Sequence, residues 1–430
     1  MIMSRGIRRV AVLAIFLFSE PVSATIGYWS HGYGPQSKAI AGACVAMAFG
    51  AMCAASNPGS LAVVGNRLEF GAALFAPKRG FVADPITGVP AGSEPIPQGT
   101  YDSENDFFLI PHFAYNRMLD DKSSIGIAIG GNGGMNTEYD SAVFRNFAPP
   151  GVTSSPTGID MKQAFAGITY SRRLNDQHSI GITPVLAIQS FKAEGLEPFT
   201  IGGAAAVSVD PTKVTNNGTD ISYGGGLKLG WLWQVNDWLN IGASYQSRLY
   251  MTEFDDYAGL FAEHGDFDIP SNLDLGFSYK LTPELIFAFD YQRINFSEVR
   301  AIGNRADIPL TTGALGCDSC LGFGWDDVNI YKFGLQWQYR PDLAFRAGYS
   351  YATDVFDGGQ ALFNILAPAV VKRHFTFGIG KQLPGGSEIN LAFAYMPEEK
   401  VYGTNTNTGP QTGHLFMDQW ELEIGWATSF

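Results

Sequence analysis

The sequence predicts an all-β fold: a 14-stranded antiparallel transmembrane β-barrel with an N-terminal plug inside its lumen. Three observations predict it. After residue 66, apolar and polar side chains alternate with period two, the pattern of strands whose two faces meet different solvents. The connections between these strands alternate short and long, with tight turns gathered at one end and loops at the other. The composition has 51 Gly, 13% aromatic residues and only 16% charged residues. That texture is unusual for a soluble chain and suits an apolar outer band with aromatic girdles.

The last segment shows the alternation most clearly. Trp420, Leu422, Ile424, Trp426 and Phe430 share one parity, and Glu421, Glu423, Gly425, Ala427 and Ser429 the other. Segment 386–396 repeats it, with Ile389, Leu391, Phe393 and Tyr395 against Asn390, Ala392 and Ala394. Segments 272–280 and 331–340 do the same. Applied throughout, the pattern predicts strands near 67–76, 104–116, 122–132, 159–171, 177–191, 219–234, 237–250, 268–280, 284–294, 325–339, 342–352, 371–382, 386–396 and 418–430. Long loops then span 77–103, 133–158, 192–218, 251–267, 295–324, 353–370 and 397–417. A soluble β-sandwich also alternates its faces. It has no reason to sort loop lengths in this way, and it would bury the Trp and Phe face that recurs here on every strand.

Residues 1–24 read as an export signal. Arg5, Arg8 and Arg9 precede an apolar run, Val10–Phe18, too short to span a bilayer. Val22-Ser23-Ala24 supplies small residues for cleavage after Ala24. Removing the segment makes the formal net charge of −13 more negative by two. No nucleic-acid partner is expected from so acidic a chain. Residues 39–55 carry no charge, but Ala and Gly dominate them. Such residues favour close packing in a confined space over insertion as a spanning helix.

Residues 25–66 lack the alternation and are assigned to the plug, with 67–430 forming the barrel. Here three stretches stand out: Gly32-Tyr33-Gly34, Ala39-Ile40-Ala41-Gly42-Ala43 and Asn57-Pro58-Gly59-Ser60-Leu61. With the fourteen strands, they resemble the outer-membrane long-chain fatty acid and hydrophobic compound transporters of the FadL/TodX/OmpP1 type. That family carries a Gly-rich N-terminus ending in Asn-Pro-Ala; Gly59 replaces the Ala here. The resemblance implies passive uptake of hydrophobic small molecules. It also implies an inward kink in the third strand that meets the Asn57-Pro58-Gly59 segment and opens the wall sideways into outer-membrane lipid. Gly130, Gly131, Gly133 and Gly134 interrupt the third strand's alternation, as a bulge does. The start of a glycine-rich loop would read the same way.

Apolar residues on the otherwise polar parity are the lumen candidates: Phe75, Phe108, Ile110 and Phe165, with Arg346 as a cation. They suit a pocket for apolar cargo, and they equally suit packing against the plug. Lys228 and Lys332 share the lumen parity, where each has acidic candidates for pairing. In the fourth long loop, Phe254, Tyr257, Ala258 and Phe261 fall on one face of a helix, and Thr252 with Asp255 offers a capping box. Phe254, Tyr257, Leu260 and Phe261, with Phe199 of the third long loop, are the expected first contacts for cargo. The resemblance places a capture groove between these loops.

Four Cys in an exported chain suggest disulfides. The local pairs Cys44–Cys53 and Cys317–Cys320 are preferred among the three connectivities. Six His show no metal spacing, and neither Gly-x-Ser-x-Gly nor His-Glu-x-x-His occurs. No catalytic residue, metal or cofactor is expected, and the expected state is a monomer. Fatty acid uptake, aromatic or alkane hydrocarbon uptake, and a structural or adhesive barrel without transport remain the function classes open at this point.

Overall fold

The computed structural model describes residues 26–88, 94–148, 151–200, 207–311, 313–404 and 406–430. The expected export signal lies outside them. Side chains that point outward along the strands are apolar and exposed, among them Phe70, Leu74, Ile125, Ile127, Phe377 and Ile424. Their neighbours in sequence are buried or half-buried. Such a surface is stable only when lipid covers the outside of a closed sheet.

The sheet is closed and has fourteen long strands. They are β1 (Arg67–Ala83), β2 (Phe108–Met118), β3 (Ser123–Glu138), β4 (Gly158–Arg173), β5 (His178–Glu194), β6 (Asp220–Gln234) and β7 (Leu239–Gln246). The second half comprises β8 (Asn272–Lys280), β9 (Leu285–Ile294), β10 (Val328–Arg340), β11 (Leu343–Ala352), β12 (Arg373–Gln382), β13 (Ser387–Thr404) and β14 (Thr412–Ser429). Consecutive strands pair antiparallel, and β14 returns to β1 in unbroken register from Arg67↔Ser429 to Ala83↔Gly413. Two short strands, Gly99–Asp102 on β1 and Tyr250–Met251 on β6, lie in the loops.

All fourteen expected strands are present, with some ends displaced. β1, β13 and β14 run well past 76, 396 and 418, because they continue to pair with one another through Tyr402↔His414 and Val82↔His414. The expected strand 237–250 stops at Gln246. No helix among the described residues is long and apolar enough to cross a membrane. Residues 39–55 form turns, including a single 3-10 stretch at Ala51–Ala55.

Residues 26–64 pack against inward-facing residues of the strands and are almost wholly buried. The approach is so close that inward-facing glycines are required. A Cβ on Gly242 would lie 2.2 Å from the Val45 carbonyl oxygen, and one on Gly348 2.3 Å from the Ile40 carbonyl carbon. Charge also ties this segment to the wall. The Lys38 ammonium sits 2.5 Å from Glu421 and 3.0 Å from Glu423, and His112 Nδ1 sits 2.9 Å from Glu423.

The largest apolar core lies under the long loops. Tyr28 enters it between Phe267, Phe296 and Trp325, with ring centroids 5.4–6.2 Å away. The loops therefore roof the barrel and hold the start of the N-terminal segment.

Candidate functional site

Two neighbouring strands separate part-way up the wall. β2 pairs with β3 from Met118↔Ser124 to His112↔Gly130 and no further. Yet β2 continues to Phe108 against β1, and β3 continues to Glu138 against β4. The residue beyond the last pair on β2 is Pro111, which brings no N–H to a ladder. On β3 the register against β4 shifts between Gly131 and Gly133. Such a bulge bends its strand and re-aims the side chain between.

That side chain is Asn132, fully buried and turned toward the N-terminal segment. Its carbonyl accepts from the Ser30 N–H at 2.8 Å, its Oδ1 accepts from the Tyr33 hydroxyl at 2.6 Å, and its Nδ2 donates to Gln163 at 3.2 Å. The glycine run thus lies inside a continuing strand, not at a loop start. A seam in the hydrogen-bonded wall results, with Phe108–Pro111 on one lip and Gly131–Gly134 on the other.

Two cavities flank the seam. The upper is a partly open hollow lined by Phe75, Phe108, Gly134, Met135, Trp325 and Met417. Arg79 borders it. Its guanidinium donates to the carbonyls of Asn136 (2.6 Å), Asn105 (2.8 Å) and Pro77 (3.2 Å), to Asn136 Oδ1 (2.7 Å), and lies 5.4 Å from the Phe108 ring centre. The lower cavity, also partly open, lies on the side of the short turns. Met52, Ala128, Gly130, Phe165, Val185 and Lys228 line it.

The sequence-derived candidates distribute as follows. Phe75, Phe108 and Gly134 line the upper cavity; Phe165 and Gly130 line the lower one. Ile110 is buried on the seam lip. Arg346 borders neither cavity: it donates to Gln336 at 2.7 Å and Asn390 at 3.1 Å and lies over Phe49.

The Asn57-Pro58-Gly59 turn does not meet the strand-three bulge, contrary to the expectation from the resemblance. Asn57 Nδ2 donates to Val45 O at 2.7 Å and Trp231 O at 2.9 Å, and Ser179 donates to Gly59 O at 2.7 Å. The turn fits against Gly181 and Gly230, whose missing side chains leave room for its backbone. Ser30 and Tyr33 occupy the bulge instead.

The expected loop helix is also corrected. Only a single turn, Asp255–Tyr257, forms, and Glu263 and His264 take positive φ. Thr252 supports Tyr223 N–H instead of capping a helix. Phe254, Tyr257 and Phe261 surround Phe191 at 4.7–5.6 Å, and Leu260 is buried beside them. Phe199 packs elsewhere, on Phe144, Phe147 and Phe363. An apolar set of this size is more stable under a roof than on a helix in water. Cys317 and Cys320 are disulfide-bonded, whereas Cys44 and Cys53 are buried thiols 3.6 Å apart.

Sequence reasoning missed the roof residues Trp325 and Ala367–Ala369 and the cation Arg79. The uncharged apolar run 361–371 inside a loop was the available signal.

The sequence profile of the family described as outer membrane protein transport protein (OMPP1/FadL/TodX) matches residues 30–421. The chain belongs to that family. It is thereby an outer-membrane transport protein for hydrophobic compounds, and its neighbours are channels, not enzymes.

Solved FadL/TodX-type barrels share its fold. The Pseudomonas putida toluene transporter TodX is 21% identical, with 93% of this chain and 99% of that one covered and a TM-score of 0.67. The Ralstonia pickettii toluene transporter TbuX is 16% identical, covering 93% and 99%, with a TM-score of 0.64. A Pseudomonas aeruginosa FadL homologue is 14% identical, covering 94% and 100%, with a TM-score of 0.67. No curated protein matches the chain.

Proposed function

We propose that this chain takes up hydrophobic compounds by passive diffusion and releases them sideways into the outer membrane through the β2–β3 seam. The end of the β2–β3 ladder at His112↔Gly130, with apolar cavities on both sides, is the observation that carries this reading. Apolar cargo gains about 25 cal/mol per Å² on leaving water, so a lipid-facing exit lowers its free energy where a watery axial exit does not. Residues 1–24 serve as the export signal. Residues 25–66 serve as the plug that blocks the axial route. Phe199, Phe254, Tyr257, Leu260 and Phe261 meet cargo when the roof parts.

Long-chain fatty acids are the first cargo reading, because the buried cation Lys228 lines the lower cavity. Monoaromatic hydrocarbons are the second. The aromatic lining of the upper cavity favours them, in line with the names of the toluene transporters that share the fold.

Pro111→Cys with Gly131→Cys places thiols where the ladder would have continued. Oxidation of this pair should reduce uptake of oleate and toluene at least tenfold, with recovery on reduction. Undiminished uptake through the cross-linked wall rules out sideways release.

A further inference from the structure

Above the seam the wall closes again. The Glu104 N–H donates to the Glu138 carbonyl at 2.8 Å, and the Glu138 N–H donates to Ser103 Oγ at 3.1 Å. These bonds stand eight residues beyond the His112↔Gly130 pair on each side. The seam is therefore a window with two ends, about 25 Å apart at ordinary strand spacing.

Arg79 crosses this window near its upper end. Its side chain leaves β1 and is buried at 4% exposure. Nε donates to the Asn136 carbonyl of β3 at 2.6 Å, and Nη2 donates both to Asn136 Oδ1 at 2.7 Å and to the Asn105 carbonyl at 2.8 Å. Asn105 belongs to the chain leading into β2. Nη1 holds Pro77 O of β1 itself at 3.2 Å. One guanidinium thus grips both lips at once, and its face rests on Phe108 of the β2 lip.

Every one of these acceptors is a neutral oxygen. Asp106 and Asp160 lie within electrostatic reach, yet neither forms an ion pair with Arg79 among the described residues. The donors are spent on the two lips instead. Arginine suits that task because its five N–H groups are fixed in one planar fork and its charge is weakly hydrated. A lysine ammonium is a single point and cannot reach both lips with the same set of bonds. While the clasp holds, the strands cannot separate at Asn105 and Asn136, and only the stretch below it, down to His112↔Gly130, is free to widen.

We propose that Arg79 sets the upper limit of the window and thereby the width of the molecule that passes through it. This rests on the sideways-release reading and adds to it a residue that selects by size. Arg79 borders the upper hollow, so cargo leaving that hollow passes directly beneath the clasp.

Entry of naphthalene and pyrene into intact Gram-negative cells expressing the full-length protein, with the empty host as background, tests the clasp. The two hydrocarbons share their chemistry and differ in width. The parent should pass naphthalene at least tenfold faster than pyrene. Arg79→Met should raise pyrene entry at least fivefold and leave naphthalene within twofold, with Arg79→Lys between the two. Asn136→Ala removes one bond and keeps the guanidinium, so it should shift the ratio less, in the same direction. It decides the matter should Arg79→Met fail to fold, which migration of the unheated protein on a denaturing gel reports. A merely structural role lowers both rates together and leaves their ratio as it was. An unchanged ratio in the folded variant overturns the proposal, as does equal entry of both probes through the parent. Adding the Pro111→Cys and Gly131→Cys pair to Arg79→Met separates the two readings, since oxidation should remove the pyrene gain. Undiminished entry of both probes after oxidation refutes sideways release and the clasp with it. Entry that stops on oxidation, with a ratio that Arg79→Met never altered, refutes the clasp alone.

Discussion

The barrel has two long junctions near β1 that differ sharply. At the closure, β1 and β14 pair from Arg67↔Ser429 to Ala83↔Gly413 without a break. At the seam, β2 and β3 part after His112↔Gly130. Behind the closure strand the N-terminal segment is tied by charge, through Lys38 to Glu421 and Glu423. Behind the seam it is tied by neutral hydrogen bonds from Ser30 and Tyr33 to Asn132. In lipid an unmade backbone hydrogen bond costs several kcal/mol. A break in the ladder is therefore tolerated only where pairing is prevented and the freed groups have found other partners. Proline on one lip and glycine on the other supply the first condition; Asn132 supplies the second.

Breaking the charged tie has the largest expected effect. Lys38→Met leaves two buried carboxylates together, and removing one partner from such a cluster costs about 3–5 kcal/mol. The thermal midpoint of the gel-mobility transition should fall clearly, and Glu421→Gln with Glu423→Gln in the same chain should restore much of it. An unchanged midpoint for Lys38→Met alone contradicts the role given to the tie.

Crowding the closure comes next. A Cβ at Gly71 lies 2.3 Å from the Ile424 carbonyl oxygen and 2.8 Å from Gly425 Cα. Gly71→Val must displace backbone, and such overpacking costs about 1–3 kcal/mol. The same gel transition measures it.

A smaller change at the seam has the smallest expected effect. A Cβ at Gly130 meets His112 Cβ at 3.7 Å and Met52 Cε at 4.0 Å, both ordinary contacts. Gly130→Ala should leave stability within about 0.5 kcal/mol of the parent. A drop as large as that of Gly71→Val would mean that the seam is packed as tightly as the closure, and the contrast between the two junctions would disappear.

The wall was legible in the sequence because alternation is a local property: Ile389, Leu391 and Phe393 announce their face without knowledge of the neighbouring strand. The glycine run at 130–134 was legible as a break in that pattern. Its partner was not, since Ser30 and Tyr33 bond Asn132 across a sequence separation of about a hundred residues. Loop four misled for a related reason. The helical spacing of Phe254, Tyr257 and Phe261 is real, but Phe191 of β5 offers those rings a buried site that an exposed helix lacks.

By itself, the sequence determined a lipid-facing closed sheet, its strand number and its sorted loops, because each depends on side chains two residues apart meeting different solvents. Only the tertiary structure decided where the ladder ends, which turn fills which glycine recess, and that Arg79 reaches both lips of the seam. Those features depend on which strands become neighbours once the sheet closes, and on what the N-terminal residues touch inside it. Neither is written in any stretch of chain short enough to show a period.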